Sequence, residues 1–257
     1  MISPTEELLI EEEPGLLVLS INRPDQKNAM TKSVAQAIAD SLDEFDARDD
    51  LSVAIITGAG GTFCSGMDLK RFLDGERPVV PHRGFGGITE RPPSKPLIAA
   101  VEGYALAGGF EIVLSCDLIV ASSSAKFGLP EVRRGLVARA GGLFRLPMLI
   151  PRVIALELIL TGEMMDATRG FELGLVNKVV PPGEALREAK RLGAAIAANA
   201  PLAVRASKRV VTESATWPPA EWFTRQNEIV APVFESHDAN EGARAFAEKR
   251  PPHWTGT

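Results

Sequence analysis

The segment LIAAVEGYALAGGFEIVLSCDLIVASSSAKFGLPE, residues 97–131, contains the pattern from which the architecture can be inferred. Its apolar runs Leu97–Val101 and Asp117–Ala121 predict two buried strands, and Phe110–Ser115 predicts a short helix between them. The helix follows the pair Gly108-Gly109, which favours a tight turn. Alternation of strand and helix indicates an α/β core.

Two glutamates of this segment are the candidate chemical groups. Glu111 closes the run Ala107-Gly108-Gly109-Phe110-Glu111, and Glu131 follows Phe127-Gly128-Leu129-Pro130. A carboxylate in such apolar surroundings is costly unless it is paired, hydrated or used in chemistry. A helix followed by a strand would bring the two together, and two carboxyls facing one pocket can divide the work of acid and base.

The alternation extends toward the N-terminus. Leu16–Ile21 and Val53–Thr57 read as strands, and Thr31–Ala47 reads as a helix because its apolar residues recur at every third or fourth position. Gly75–Pro93 is rich in Gly, Pro and Arg and has no period, so we expect a mobile loop there that could serve as a lid.

Beyond Gly141-Gly142 the sequence becomes mostly helical. Predicted helices cover Arg152–Leu160, Ala167–Leu173, Glu184–Ala198, Leu202–Ser214, Pro219–Phe234 and Ala239–Lys249, with one strand at Leu175–Val180. The change near Pro201 predicts a core of residues 1–200, which contains the site, and a C-terminal helical subdomain of residues 201–257.

Composition excludes several classes of protein. The chain has 257 residues, 45% of them hydrophobic, and a net charge of −5. It is therefore long enough for a sizeable core, and its charge argues against a nucleic-acid partner. No segment is long enough to span a bilayer, the first residues lack the features of a signal peptide, and the three histidines show no metal-ligand spacing. Two isolated cysteines, Cys64 and Cys116, fit a reducing compartment, so we predict a cytoplasmic protein.

Two turns are expected to supply backbone donors to the site. One is Thr62–Leu69, beyond the strand Val53–Thr57, and the other is Ala107–Gly109, beyond the strand Leu97–Val101. Unpaired N–H groups occur at such strand-to-helix transitions, and glycine lets a ligand approach the backbone. Two such groups make an oxyanion hole that can hold the charge of an enolate formed from a thioester.

The residues around these turns, taken in order, resemble the crotonase superfamily, the enoyl-CoA hydratase/isomerase family. The match runs nearly end to end, and its specificity lies in the order and spacing of many weak motifs. These motifs are Asn22-Arg23-Pro24 with Asn28-Ala29, Ser65-Gly66-Met67-Asp68-Leu69, Gly103-Tyr104-Ala105, Gly108-Gly109-Phe110-Glu111, Cys116-Asp117, Phe127-Gly128-Leu129-Pro130-Glu131, Gly141-Gly142, Leu160-Thr161-Gly162, Gly174-Leu175-Val176 and Ala245–Arg250.

The resemblance implies a crotonase-like α/β fold, a spiral of ββα repeats with a C-terminal helical region that serves trimerisation and covers the CoA site. It implies a homotrimer or a hexamer, and an acyl-CoA thioester substrate whose carbonyl oxygen lies between the N–H groups of Met67 and Gly108. Coenzyme A is then part of the substrate, and no other cofactor is implied. Both glutamates are present, as in hydratases of the family: Glu111 would activate the water that attacks Cβ, and Glu131 would protonate Cα.

Substrate contacts are implied at six further positions: Gln26, Lys27, Asp68, Leu69, Arg139 and Lys249. Lys249 would supply positive charge to the CoA phosphates, either within one chain or from a neighbouring subunit. Two positions depart from the family pattern. Met67 replaces a common alanine and would reshape the acyl pocket, and Arg139 stands in the segment Val137-Ala138-Arg139-Ala140, where hydratases commonly have Ile-Pro-Gly-Ala. Arg139 would lie near Glu131, where it would either hold that carboxylate ionised or bind a polar acyl group.

Three activities remain open at this point. The first is hydration of a 2-enoyl-CoA to a 3-hydroxyacyl-CoA. The second is another reaction of the superfamily, either carnitinyl-CoA-like dehydration or Δ3-Δ2 isomerisation with one glutamate as a proton shuttle. The third is a non-catalytic acyl-CoA-binding module, which the presence of both glutamates disfavours.

Overall fold

The structure is a computed structural model that describes residues 5–257; Met1–Pro4, on which the signal-peptide prediction partly rests, lie outside the described residues. The strands are β1 (Leu8–Glu13), β2 (Gly15–Ile21), β3 (Leu51–Gly58), β4 (Val79–Val80), β5 (Gly84–Phe85), β6 (Leu97–Val101), β7 (Tyr104–Leu106), β8 (Leu118–Ser122), β9 (Lys126–Gly128), β10 (Met164–Asp166) and β11 (Lys178–Val180). The α-helices are α1 (Lys32–Ala47), α2 (Leu69–Leu73), α3 (Gly108–Val113), α4 (Gly142–Leu149), α5 (Arg152–Thr161), α6 (Ala167–Glu172), α7 (Ala185–Ala197), α8 (Pro201–Ser214), α9 (Trp222–Phe234) and α10 (His237–Glu248).

Two sheets form the frame. The larger has the strand order β1-β2-β3-β6-β8-β11 and is parallel except for the hairpin β1–β2. The smaller has the order β10-β9-β7. In the repeat β6-β7-α3 the first strand joins the large sheet and the second joins the small one, and β8 and β9 repeat this division before the 3₁₀ helix Pro130–Arg134. The predicted α/β spiral of ββα repeats with a C-terminal helical region is confirmed.

The large sheet is covered on both faces. Successive side chains of a strand point to opposite faces, so in β2 Leu17 and Leu19 join the main core with α1, whereas Leu16 and Val18 pack with α7. Helix α1 begins at the N-cap Thr31, whose hydroxyl accepts the N–H of Val34. Strands buried on both faces explain why the sequence shows them as continuous apolar runs.

The predicted helices and the predicted strands of the large sheet are confirmed, with one strand much shorter than expected. The strand predicted at Leu175–Val180 is limited to Lys178–Val180. The short strands of the small sheet and the edge strand β1 were not predicted, because runs of about three residues carry no measurable period.

The segment Gly75–Pro93, predicted as a mobile loop, has more regular structure than expected, and its mobility stays a prediction. The segment contains the hairpin β4–β5 and buries Arg83, Ile88 and Thr89. Two glycines explain the close packing: a Cβ at Gly86 would lie 2.7 Å from Ile112, and one at Gly87 would lie 2.1 Å from the carbonyl oxygen of Ala35. The segment is therefore clamped between α1 and α3.

The C-terminal helices differ from the core in their packing. Neither α8 nor α9 contains a fully buried residue, and large apolar side chains are exposed on α9 and α10, namely Trp222, Phe223, Phe234 and Phe246. The predicted boundary near Pro201, dividing residues 1–200 from 201–257, stays a prediction. None of the helices in residues 5–257 combines the length and the apolar character required to cross a bilayer.

Candidate active site

A cavity of about 1420 Å³ is bordered by loops and by strands β7 and β10 of the small sheet. The segments after β3, β6 and β9 line it, together with the hairpin β4–β5. Both Glu111 and Glu131 line this cavity, as do Met67 and Gly108. The structure thus brings both predicted carboxyls and both predicted donors to one place.

The backbone around the predicted oxyanion hole is held by hydrogen bonds between chain segments far apart in sequence. Cys64 pairs with the β7 strand, since its N–H donates to the Tyr104 carbonyl and its carbonyl accepts the Leu106 N–H, both at 2.9 Å. The loop that contains Cys64 also pairs with the segment around Met30, through a parallel bridge between Met30 and Met67. These contacts fix the position of the Met67 backbone relative to the Gly108 backbone without using any side chain.

Two N–H groups are left free by this pairing. Among the hydrogen bonds of residues 5–257, neither the Met67 N–H nor the Gly108 N–H has an acceptor. The two segments are in contact, because a Cβ built on Gly66 would lie 3.3 Å from the Gly108 nitrogen. Two neighbouring free donors that border a cavity are suited to bind one oxyanion.

Glycine is required at the turn into α3. A Cβ on Gly108 would lie 2.3 Å from Cζ of Phe85, and one on Gly109 would lie 2.2 Å from the Cys64 carbonyl oxygen. The preceding Ala107 has φ 51° and ψ −128°, a conformation that costs a non-glycine residue about 1–3 kcal/mol. The backbone at Ala107 is therefore strained, which the sequence alone did not indicate.

Glu111 is 3% exposed and its carboxylate is clamped by backbone donors. Oε1 accepts the N–H of Ala140 at 2.7 Å and that of Gly142 at 2.9 Å. Burial raises the pKa of Glu111, while these two donors and the nearby Arg145 guanidinium oppose the rise. Oε2 has no protein donor in the described part of the chain, so it remains available to a water molecule.

Glu131 has a different environment. It lies in the 3₁₀ helix Pro130–Arg134, and its Oε2 is buried without a hydrogen-bond partner among the described residues. Burial raises the pKa of Glu131 to about 7, the negative charge of Glu111 adds to the rise, and Arg134 opposes it. The coupling between the two carboxyls shows that they lie close enough to influence each other's ionisation. Burial therefore raises the pKa of both carboxyls, and Glu131, with a pKa of about 7, can take either protonation state near neutral pH.

The turn Pro24–Asn28 forms another part of the cavity wall. Lys27 and Asn28 both have positive φ, and the buried Asn28 side chain ties the turn together by accepting the Arg23 N–H at 2.8 Å and donating to the Ala59 carbonyl at 2.8 Å. The Lys27 carbonyl in turn accepts the Ser65 N–H at 3.0 Å. The turn is thereby attached to the loop that carries Met67.

Of the predicted substrate-binding residues, Gln26, Lys27, Asp68, Leu69 and Arg139 line the cavity. The Asp68 carboxylate is already engaged: it caps α2 by accepting the N–H groups of Lys70 and Arg71, and it pairs with Arg23 at 3.0 Å. Lys249 is exposed at the C-cap of α10 and is not among the residues that line the cavity. Its predicted contact with CoA phosphates is not formed within one chain.

One electrostatic expectation is corrected. Arg139 was expected either to hold Glu131 ionised or to bind a polar acyl group; the pKa of Glu131 is raised, and the cation that opposes the rise is Arg134, so the first alternative is not supported. Arg139 is exposed and lines the same cavity. The direction of the side chains around the 3₁₀ turn after Pro130 determines which arginine lowers the pKa of Glu131. This direction cannot be read from the sequence.

The sequence analysis missed several groups that shape the cavity. They include the backbone donors of Ala140 and Gly142, the ring of Phe85, and the cations Lys70 and Arg77 at the cavity wall. The Gly141-Gly142 pair was a usable signal for the backbone clamp, whereas Phe85 lay in a segment that was read as a loop. The described residues contain no group of three or more His, Cys, Asp or Glu side chains suited to a metal ion.

Comparisons with known proteins agree with this geometry. A family model described as enoyl-CoA hydratase/isomerase matches residues 11–257. The enoyl-CoA hydratase EchA19 of Mycobacterium tuberculosis is 42% identical over 255 residues, covering 96% of this chain and 95% of that protein. A carnitinyl-CoA dehydratase of Salmonella typhi is 38% identical, covering 98% of this chain and 99% of that protein. The crystal structure of enoyl-CoA hydratase EchA1 from Mycobacterium marinum superimposes with a TM-score of 0.97 at 56% identity, covering 98% of this chain and all of that one.

Proposed function

The chain belongs to the enoyl-CoA hydratase/isomerase family, and on this basis we propose that it hydrates a 2-enoyl-CoA to a 3-hydroxyacyl-CoA, with Glu111 as general base and Glu131 as general acid. The single observation that carries the proposal is the contrast between the two carboxyls. One, Glu111, is buried and held by two backbone donors, and the other, Glu131, is half-buried, with an unpartnered oxygen and a pKa raised to about 7. Pairs of titratable groups in contrasting environments are typical of acid–base catalysis.

Attack of water is the first step. The free Oε2 of Glu111 accepts a proton from a water molecule as the water oxygen bonds to Cβ of the enoyl group. The π electrons of the double bond move to the thioester carbonyl oxygen, which becomes an enolate. The Met67 and Gly108 N–H groups stabilise this charge, and loss of one such donor typically lowers the rate by a factor on the order of 10²–10³.

Protonation completes the reaction. Glu131 transfers its proton to Cα, and the enolate returns to a thioester carbonyl. Glu111 then holds the proton taken from water, and Glu131 is ionised. Because both carboxyls border the same cavity, exchange through water restores the starting protonation state.

The walls of the cavity support a thioester of coenzyme A as substrate. Lys27, Lys70 and Arg77 provide positive charge for phosphates on one side. Apolar side chains, including Met67, Phe85 and Val137, provide a surface for an acyl chain on the other. The acyl chain length follows from the shape of this apolar part and is open to direct measurement.

The test is the loss of conjugated thioester absorbance with crotonyl-CoA and longer 2-enoyl-CoAs. Glu111→Gln and Glu131→Gln should each lower kcat by a factor on the order of 10²–10⁴. Glu163→Gln, at an exposed position outside the cavity lining, is the matched control and should keep wild-type kcat. Measurable binding without turnover of any enoyl-CoA would refute the proposal in favour of a binding module, and full isomerisation of a 3-enoyl-CoA by Glu111→Gln would favour an isomerase.

Dehydration of a 3-hydroxyacyl-CoA is the second candidate, favoured by the similarity to a carnitinyl-CoA dehydratase. It is the reverse of hydration, so the same two carboxyls exchange roles on the same atoms. Assaying a 3-hydroxyacyl-CoA for gain of conjugated absorbance separates a preference for one direction from an equilibrium mixture.

We further propose that the exposed apolar side chains of α9 and α10 are covered by other copies of the chain in a trimer or a hexamer. Phe223, Phe234 and Phe246 are each more than three-quarters exposed, which is unusual for large apolar side chains in a monomer. Light scattering after size-exclusion chromatography measures the number of copies directly. The free thiols of Cys64 and Cys116 support a cytoplasmic location.

A further inference from the structure

Arg145 is a charged residue outside the cavity lining that connects several parts of the site. It is partly buried on α4, 34 residues after Glu111 and 14 residues after Glu131 in the sequence. Its Nη1 donates to the Ala140 carbonyl at 3.2 Å, and its Nη2 donates to the Thr89 carbonyl at 2.6 Å. A guanidinium that bridges two backbone segments restricts both of them.

The first of these segments is the clamp on Glu111. Ala140 uses its N–H to bind Oε1 of Glu111 and its carbonyl to accept from Arg145. Gly141 lies between the two clamp donors with φ 106°, and a Cβ there would lie 2.0 Å from Nη1 of Arg145. The guanidinium therefore occupies the space that a side chain at Gly141 would fill, and it holds this turn in the geometry that aims both N–H groups at Glu111.

The second segment is the one that carries Phe85. Thr89 lies four residues beyond Phe85, whose ring packs against Gly108. By holding Thr89, Arg145 connects the backbone clamp on Glu111 with the segment that supports the predicted oxyanion hole. Phe144, whose ring centroid lies 5.2 Å from the guanidinium carbon, covers Arg145 on another side.

From this geometry we propose that Arg145 is the positioning residue of the general base: it fixes the Ala140–Gly142 turn, and through it the ionised carboxylate of Glu111. The inference rests on the proposed roles of the two glutamates. Arg145 does not border the substrate cavity, so its effect on catalysis passes through Glu111.

The charges that face Glu111 agree with this role. Arg145 opposes the burial-induced rise in the pKa of Glu111, and Glu111 in turn opposes the burial-induced fall in the pKa of Arg145. The other titratable group coupled to Glu111 is Glu131, and Cys116, whose pKa is raised by burial, also faces Arg145. Removal of the guanidinium leaves Glu111 with no cation beside it, so a higher pH is needed to ionise it.

The test uses Arg145→Gln and Arg145→Lys in the full chain with a 2-enoyl-CoA. Arg145→Gln should lower kcat roughly 10- to 100-fold, because misplacement of a catalytic group by about 1 Å can cost 10²-fold. KM should change little, since Arg145 does not line the cavity. The acidic limb of the kcat/KM pH profile should move to higher pH, and Arg145→Lys, which keeps the charge, should restore part of both effects.

Arg83→Gln is the matched control. Arg83 is also a buried arginine that donates to a backbone carbonyl, that of Arg91 at 2.6 Å, but its ion pair is with Asp43 on α1. It should lower stability without moving the pH profile. An unchanged acidic limb in both Arg145 variants, or a shift of the same size in Arg83→Gln, would overturn the proposal.

A double-mutant cycle separates this inference from the proposed function. At alkaline pH, Arg145→Gln is introduced into the wild-type protein and into the Glu111→Gln variant. It should lower the urea midpoint more in the wild-type background, because the neutral glutamine amide at position 111 needs no cation beside it. Equal losses in the two backgrounds would show that Arg145 has only a structural role. This measurement of stability does not depend on turnover. If the wild type hydrated no enoyl-CoA, the proposed reaction would be refuted, but the cycle would still show whether Arg145 and Glu111 are coupled. If Arg145→Gln does not fold, Arg145→Met, which also removes the charge, carries the same comparison.

Discussion

Glu131→Gln should abolish hydration and at the same time stabilise the fold above about pH 7. Burial raises the pKa of Glu131 from its ordinary value of 4.5 to about 7. One pKa unit corresponds to about 1.4 kcal/mol, so ionisation of this carboxyl in the folded protein costs about 3 kcal/mol. Because the side chain is partly open to the cavity, screening by solvent reduces the expected gain to about 1–2 kcal/mol.

The pH dependence of this gain has a defined sign. Below about pH 4.5 the carboxyl is protonated in both states, and the substitution removes no charge. Between about pH 4.5 and 7 the unfolded chain releases the proton while the folded chain retains it, so wild-type stability falls as the pH rises. The neutral amide lacks this loss, so the advantage of Glu131→Gln should grow through this window and reach a plateau above about pH 7.5.

Urea unfolding followed by circular dichroism, at several values from about pH 5 to about pH 8.5, measures this advantage. Protein concentration must be matched, because the stability of an oligomer depends on it. Glu163→Gln is the control and should show no such growth with pH. A constant difference between Glu131→Gln and wild type across the range, or an advantage that shrinks as the pH rises, would refute the assignment of a buried, proton-retaining acid.

Three further results are expected. Gly108→Ala should lower kcat by a factor on the order of 10² or more, because its Cβ would collide with the Phe85 ring and displace the N–H donor. Adding Phe85→Ala should recover part of the lost kcat. If kcat does not recover, the collision with Phe85 is not the cause of the loss. Ala107→Gly should raise the free energy of unfolding by about 1 kcal/mol with unchanged kcat, since it relieves a φ of 51°, and a lower melting temperature would contradict the strain. Lys95→Met should lower the free energy of unfolding by about 3 kcal/mol without changing kcat per folded enzyme. The reason is that the buried ammonium of Lys95 donates to three backbone carbonyls between α1 and β3. An unchanged urea midpoint would show that water replaces the ammonium.

The parts of the fold that could be predicted are those whose signal is local. The strands of the large sheet are continuous apolar runs, and α1 has an apolar face with a capping threonine. Residues 75–93 could not be predicted, because their order depends on contacts such as that between Gly87 and α1, far away in sequence.

The same distinction holds for the site. Glu111 and Glu131 could be found because acidic residues beside glycines in an apolar stretch are conspicuous. The clamp on Glu111 consists of backbone N–H groups, which every residue except proline possesses, so no residue type signals it. Whether Arg134 or Arg139 acts on Glu131 depends on directions around one 3₁₀ turn.

The pairing of Cys64 with β7 and of Met30 with Met67 has a consequence for how this enzyme can be changed. Because the proposed oxyanion donors at Met67 and Gly108 belong to the main chain, we expect the side chain at position 67 to vary without loss of transition-state stabilisation. A substitution there should change which acyl group is preferred without changing the rate of the chemical step. A library randomised at that codon should yield enzymes that differ in the acyl group they accept while keeping similar turnover on their preferred substrates.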